Sequence, residues 1–148
     1  DLHSFPTRRS SDLSFENFYN FCMYTHPYTS ADQLSDEALI NLRDSVMRKN
    51  IEGETLEDGT VPYMKTERRV VQTQPIKVNG MNVIEMRGLW VMEHDAMGGP
   101  FVSYTFIDTD RQRLLVAEGF VYAPNKKKRE YIRKLEAALQ TVKIKNEK

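Results

Sequence analysis

The stretch of sequence that decides the fold is RGLWVMEHDAMGGPF, residues 87–101. It holds the only tryptophan of the chain, three of its seven glycines and a proline, between two segments that resemble β-strands. Glycine and proline in such a position usually mark a place where the backbone takes a special conformation. We therefore predict that this stretch joins two neighbouring strands through a tight turn, with Gly98 or Gly99 at positive φ.

Hydrophobic periodicity predicts five strands along the chain. Apolar and aromatic residues alternate, or run almost without a break, over residues 16–26, 70–78, 81–92, 101–107 and 114–123. Asn79 and Gly80 predict a hairpin, because a type I′ turn needs positive φ at both positions. In the strand that follows, Glu85 and Arg87 share a face and could pair. The last strand is nearly all apolar, as expected in the middle of a sheet.

Two helices complete the expected fold. Ser35 is a typical N-cap for a helix over residues 36–50, and Pro124 and Asn125 open a second helix with one apolar stripe. The order of elements is then β-α-β-β-β-β-α. Because consecutive strands are joined by short turns, we predict an α+β domain with an antiparallel sheet of about five strands and both helices packed on one face.

Length and composition fit a single globular domain. The 148 residues are 28% charged and 40% apolar, and no apolar stretch approaches the ~20 residues of a membrane-spanning helix. Cys22 is the only cysteine, which excludes an internal disulfide and a cysteine-based zinc site. It could act as a nucleophile with His26 or His94 as base, or be a small buried hydrophobe. We expect no cofactor and no metal.

Residues 1–13 are expected to be foreign to the protein. The run HSFPTRRSSDL resembles the translation of a common sequencing adapter, and it is polar, rich in serine and broken by Pro6. We expect residues 1–13 to be disordered and exclude them from the fold. A basic arm built on Arg8 and Arg9 is the alternative. Residues 14–148 then form one domain, the C-terminal part of a longer protein.

The turn within residues 87–101 is the first candidate site. His94 and Asp95 could act as an acid–base pair of a hydrolase-type enzyme, and the N–H groups around Gly98 and Gly99 could bind an anion. The same residues also fit an ordinary solvated turn. A phosphate-binding loop is followed by a helix, whereas a strand is expected after this turn.

The basic C-terminal segment is the second candidate site. Residues 126–148 carry nine basic and three acidic residues, a net charge of +6 in a chain whose total is zero. The cations of interest are Lys127, Lys128, Arg129 and Arg133. Lys126 to Arg129 occupy the first turn of a helix, where the dipole disfavours positive charge, so these cations, together with Arg133, could hold an anionic lipid or polysaccharide. They also fit a solvated face with an ordinary Glu130–Lys134 pair. We do not expect nucleic acid, because no loop of alternating aromatic residues is present to stack bases.

Several ordered motifs resemble the family known as domain of unknown function 4837, found in predicted lipoproteins of Gram-negative bacteria. The motifs are YMKTE (63–67), RGLW (87–90), MGGPF (97–101) and GFVYAP (119–124), within a resemblance that covers residues 18–143. The resemblance implies a domain of the cell envelope that faces the periplasm. It also implies a lipid anchor on a cysteine that lies N-terminal to this domain, and no activity, cofactor or catalytic residue.

The resemblance and the residues together lead us to expect a non-catalytic binding or scaffolding module. An envelope protein, an anionic lipid or a polysaccharide is the expected partner. A hydrolase-type enzyme at His94 and Asp95 and anion binding through the basic helix remain the alternatives.

Overall fold

The computed structural model describes residues 2–3, 18–123 and 128–144, with side chains from residue 20 onward. The strands are β1 (Leu2–His3), β2 (Phe18–Pro27), β3 (Tyr63–Thr66), β4 (Gln72–Val78), β5 (Met81–Glu93), β6 (Gly98–Asp108) and β7 (Arg113–Tyr122). The helices are α1 (Asp36–Asn50) and α2 (Arg129–Gln140), and short 3-10 helices cover Ala31–Leu34 and Arg68–Val70. Part of the predicted opening of the last helix, Pro124 to Lys127, lies outside the described residues.

The strands form one antiparallel sheet in the order β1-β2-β7-β6-β5, and both β3 and β4 pair with β5. β4 pairs with the first half of β5 and β3 with its last four residues. β7 pairs with β2 on one side and β6 on the other, which makes it central as predicted. The α+β class, the antiparallel sheet and the predicted order of elements are confirmed. The short strand β3 is an addition that the hydrophobic pattern did not predict.

The two helices lie on opposite faces of the sheet, whereas we predicted both on one face. Arg43 of α1 bonds to Glu118 of β7. Leu135 of α2 packs against Gly119, the next residue of the same strand. Neighbouring residues of a strand point to opposite faces, so the helices enclose the sheet between them. The reason lies in β7 itself, because a strand buried on both faces needs a covering layer on each side.

α1 has the predicted bounds and covers one face. Its N-cap Ser35 accepts a hydrogen bond from the Ala38 N–H at 3.1 Å, and acidic residues occupy the first turn where the helix dipole favours them. Its buried apolar residues, Leu39, Ile40 and Met47, belong to a core cluster that includes Trp90 and Phe101. This side of the sheet therefore holds most of the large aromatic and methionine side chains.

α2 covers the other face. Its buried residues Leu135 and Leu139 pack on the outer surface of β6 and β7, against residues such as Val121 and Tyr104. The Asn79–Gly80 hairpin ends beneath the C-terminus of this helix, and both residues have the predicted positive φ. The Asn79 side chain donates to the carbonyl oxygens of Gln140 and Val142 at 3.1 and 3.0 Å, which ties the hairpin to the helix end.

Candidate functional site

The predicted turn lies just before the two glycines. The Met92 N–H donates to the Met97 carbonyl at 2.9 Å across the turn, and His94 has the positive φ, 70°. Gly98 and Gly99 belong to β6 and pair with β5, and among the described glycines only Gly59 and Gly80 have positive φ. The expectation of positive φ at Gly98 or Gly99 was therefore wrong, because the hairpin turns at residues 94–97.

A close approach, rather than a turn, requires glycine at position 99. A Cβ there would overlap the Val121 carbonyl oxygen and lie 3.0 Å from the indole nitrogen of Trp90. Trp90 is buried and donates its indole N–H to that same carbonyl at 2.9 Å. The glycine thus leaves room for the tryptophan to reach β7, which is a structural role.

His94 and Asp95 lie exposed on the turn and do not surround a cavity. The Asp95 carboxylate accepts a hydrogen bond from the Ala96 N–H at 2.6 Å, so it caps its own turn. Cavities of about 570, 420 and 360 Å³ among the described residues are lined by other side chains. No hydrogen bond or ion pair joins His94 to Asp95, and the carboxylates that interact electrostatically with His94 in the described residues are Asp58 and Glu93.

Cys22 is buried in the core with α1 above it. Burial, reinforced by the nearby Glu118 carboxylate, raises the pKa of its thiol well above the ordinary range. Since the thiolate is the nucleophilic form, this thiol is inert. His26 is exposed and lies four residues along the same strand, about 13 Å away at the usual rise per residue. The two side chains are too far apart to act as nucleophile and base.

α2 presents a row of cations that have no acidic partner in the described part of the chain. They are Lys128, Arg129, Arg133 and Lys134. Arginines elsewhere do contact a carboxylate, namely Arg43, Arg68, Arg69, Arg87, Arg111 and Arg113. The predicted Glu130–Lys134 pair does not form, so these charges are free to meet a ligand. Lys127, the fourth predicted residue of this surface, lies outside the described residues.

A cavity lies against this row of cations. Lys128, Arg129 and Arg133, with Glu130, line a space of about 420 Å³. Arg129 and Arg133 are four residues apart and therefore project from the same side of the helix. We call these three basic residues the α2 basic surface. The structure thus brings together three of the predicted site residues and separates them from His94, Asp95 and the glycines.

A polar cluster connects the middle of α2 to β5. The predicted Glu85–Arg87 pair forms, with Arg87 Nε 2.9 Å from Glu85 Oε1, and the same guanidinium reaches Glu136 of α2 at 2.7 Å. Gln74 donates to Glu85 at 2.8 Å. Burial tends to raise the pKa of Glu85, but the hydrogen bonds from Arg87 and Gln74 outweigh it and lower that pKa. Sequence reasoning missed Glu136 because it lies 49 residues beyond Arg87.

The most deeply buried charges are Arg43 and Glu118. Arg43 Nε and Nη2 lie 2.8 and 2.9 Å from the two carboxylate oxygens, its Nη1 donates to Thr66, and its guanidinium lies 3.9 Å from the Phe101 ring centroid. Burial raises the pKa of Glu118, and the guanidinium acts in the opposite direction. The pair joins α1 to the centre of the sheet. The one signal for it in the sequence is Glu118, a single charged residue among the otherwise apolar residues 114–121.

The described residues contain neither a membrane-spanning helix nor a cluster of metal ligands. None of the helices in that part of the chain has the length and apolar character needed to span a membrane. No three His, Cys, Asp or Glu side chains among those residues are grouped closely enough to hold a metal ion.

The comparisons with known proteins identify the family of the chain. Neither the curated proteins nor the solved structures provide a match. A family model, "Domain of unknown function (DUF4837)", matches residues 8–141, nearly the whole chain. The match begins inside residues 1–13, and β1 pairs with Tyr24 and Met23 of β2; the foreign origin of that segment stays a prediction. Since the matched residues include every element from β2 to α2, the chain belongs to the DUF4837 family.

Proposed function

We propose that the domain is a non-catalytic binding module of a lipid-anchored envelope protein, facing the periplasm, and that it holds anionic phosphate groups on the α2 basic surface. The observation that carries the proposal is that Lys128, Arg129 and Arg133 line one cavity without an ion-pair partner in the described part of the chain. The resemblance to predicted lipoproteins supports the envelope location.

The energetics favour an external anion at this surface. The helix dipole makes unpaired cations at an N-terminus unfavourable by a few tenths to ~1 kcal/mol each. A phosphate group would reverse that cost, because guanidinium groups bind phosphate oxygens through paired, charge-assisted hydrogen bonds. Near an anionic membrane each such cation contributes about 1 kcal/mol. Two or three of them would add about 2–3 kcal/mol to the attachment that a lipid anchor provides.

Phospholipid headgroups are the source of phosphate that we favour. A lipid anchor on the same protein would keep the domain next to a membrane surface, so even a weak contact would be occupied. Phosphorylated polysaccharide presents the same chemistry in soluble form. The two sources are therefore compared directly in the test.

The test measures sedimentation of the domain with vesicles of phosphatidylcholine alone or mixed with phosphatidylglycerol. We expect binding only to the mixed vesicles, weakened by salt, because the contact is electrostatic. The variant Arg129→Gln/Arg133→Gln loses two contacts of about 1 kcal/mol each, so we expect roughly 30-fold weaker binding.

The matched control is Lys49→Gln/Lys77→Gln, which removes the same charge at exposed positions on α1 and β4. We expect this control to bind within about twofold of the parent, as distant surface substitutions rarely exceed a few tenths of a kcal/mol. Equal weakening of both variants would show that net charge alone attracts the domain, and the proposed surface would be rejected. If the domain binds soluble phosphorylated polysaccharide but not vesicles, the polysaccharide and not the lipid is the partner.

A further inference from the structure

We propose that the cleft over the face of the paired strands β4 and β5 is a second binding site, for a neutral saccharide. The cleft has a volume of about 360 Å³ and is lined by Gln72, Thr73, Gln74, Glu85 and Arg87. This volume lies within the range of small-molecule sites. We call it the β4–β5 cleft, and it is independent of the α2 basic surface.

Three of the lining side chains, those of Glu85, Arg87 and Gln74, are held in place before any ligand arrives. The buried carboxylate of Glu85 accepts two hydrogen bonds from Arg87, at 2.9 and 3.1 Å, and a third from Gln74 at 2.8 Å. Glu136 fixes the remaining end of the guanidinium at 2.7 Å. Thr73 lies between Gln72 and Gln74 on β4, so its side chain points to the opposite face of the sheet, where it donates to Asp36 of α1 at 2.7 Å and anchors the strand. Preorganisation of this kind lowers the entropy cost of binding.

Hydrogen-bonding capacity remains after these contacts are made. Arg87 has five N–H groups, and its bonds to Glu85 and Glu136 occupy three of them. Gln74 keeps its carbonyl oxygen and one N–H, and the Gln72 side chain makes no hydrogen bond to another described residue. Donors and acceptors therefore stand side by side on planar groups. A sugar hydroxyl uses both, because it donates one hydrogen bond and accepts others.

The charges around the cleft favour a neutral ligand. Arg87 stands between two carboxylates, Glu85 and Glu136, so the local balance is one negative charge. An anion would be repelled by this excess, and a cation would have to compete with Arg87 for the carboxylates. An added protein strand is also disfavoured, because Pro75 in the middle of β4 has no N–H and Lys77 lies exposed on the same strand.

The test is an NMR titration that follows the side-chain amide signals of Gln72 and Gln74. The probes are glucose, galactose and N-acetylglucosamine, with glycerol at the same hydroxyl concentration as the control for nonspecific effects. We expect saturable shifts with at least one sugar, with a Kd on the order of 1–10 mM, typical of a few hydrogen bonds. Glycerol should give no saturable shift.

The variant Gln72→Ala tests the cleft without disturbing the hydrogen bonds among Gln74, Glu85 and Arg87, because Gln72 makes no side-chain hydrogen bond to the other described residues. We expect roughly fivefold weaker sugar binding, the effect of one lost hydrogen bond. Lys77→Ala, exposed on the same strand but outside the cleft, should bind as the parent does. Vesicle binding by Gln72→Ala should be unchanged. A negative sugar titration would therefore reject the β4–β5 cleft without affecting the proposal for the α2 basic surface, and the reverse also holds. Absence of saturable shifts, equal affinity in Gln72→Ala, or the same response to glycerol would overturn the proposal.

Discussion

At the scale of single residues, the contact between Gly99, Trp90 and Val121 explains why a glycine stands in a strand. The indole N–H of Trp90 in β5 donates to the Val121 carbonyl oxygen in β7, across the strand β6 that lies between them. Only a residue without a side chain at position 99 of β6 leaves space for that bond. The conspicuous composition of residues 87–101 therefore serves packing. A ligand loop would have presented its backbone N–H groups to a ligand, whereas Gly98 and Gly99 are paired with β5 in the sheet.

We predict that Gly99→Ala strongly destabilises the domain. The added Cβ has no space beside the Val121 carbonyl and the Trp90 ring, so β6 or the tryptophan must move, at a cost of about 2–4 kcal/mol. Gly59→Ala is the comparison, because nothing lies near its Cβ and only its positive φ, 85°, opposes alanine, by about 1–2 kcal/mol. Urea denaturation measures both, and equal losses would contradict the steric explanation.

A second residue-scale prediction concerns Arg43 and Glu118. Arg43→Met leaves a carboxylate buried without its partner, so we expect a loss of about 3–5 kcal/mol of unfolding free energy. Arg43→Met/Glu118→Leu removes both charges, and we expect it to be more stable than the single variant by at least about 2 kcal/mol. Chemical denaturation of the four members of this double-mutant cycle gives the result. A double variant no more stable than Arg43→Met would refute this account of the pair.

At the scale of the elements, the sequence predicted those features that depend on interactions between residues close together in the chain. Ser35 starts α1 because its hydroxyl caps the first turn, and Asn79 with Gly80 turns the hairpin because both accept positive φ. The faces on which the helices lie depend on distant partners, and a helical pattern carries no information about them. β3 escaped prediction because it has only four residues. Likewise, the candidate cations were visible in the sequence, but the Arg87–Glu136 contact joins residues far apart along the chain.

At the scale of the whole molecule, the pKa values of the paired carboxylates predict acid sensitivity. Burial would raise the pKa of Asp108, but hydrogen bonds from Arg113 and Arg111 outweigh it and lower that pKa, as Arg87 and Gln74 do for Glu85. A carboxylate with a lowered pKa in the folded state contributes stability above its unfolded pKa, near 4. That contribution is lost as the pH falls through the folded value.

We therefore predict that thermal stability falls below about pH 4.5 and that Glu85→Gln/Asp108→Asn makes the fall shallower. The melting temperature measured from pH 7 to 2.5 gives the slope for the variant and for the parent. Burial raises the pKa of Glu118, which acts in the opposite sense, but both proteins retain that residue. Parallel curves would show that these two carboxylates do not control the acid response.

Because a helix covers each face of the sheet, the order in which the elements are synthesised affects how long one face stays exposed. β7 pairs with β2 across about a hundred residues, as in the pair Phe18–Tyr122, and α2 follows all the strands in the chain. Until that helix has left the ribosome, the apolar residues of β6 and β7 that it covers remain open to other chains. The twelve residues of α2 therefore cover this apolar face only at the end of synthesis. We expect the nascent domain to be most prone to aggregation just before they emerge from the ribosome.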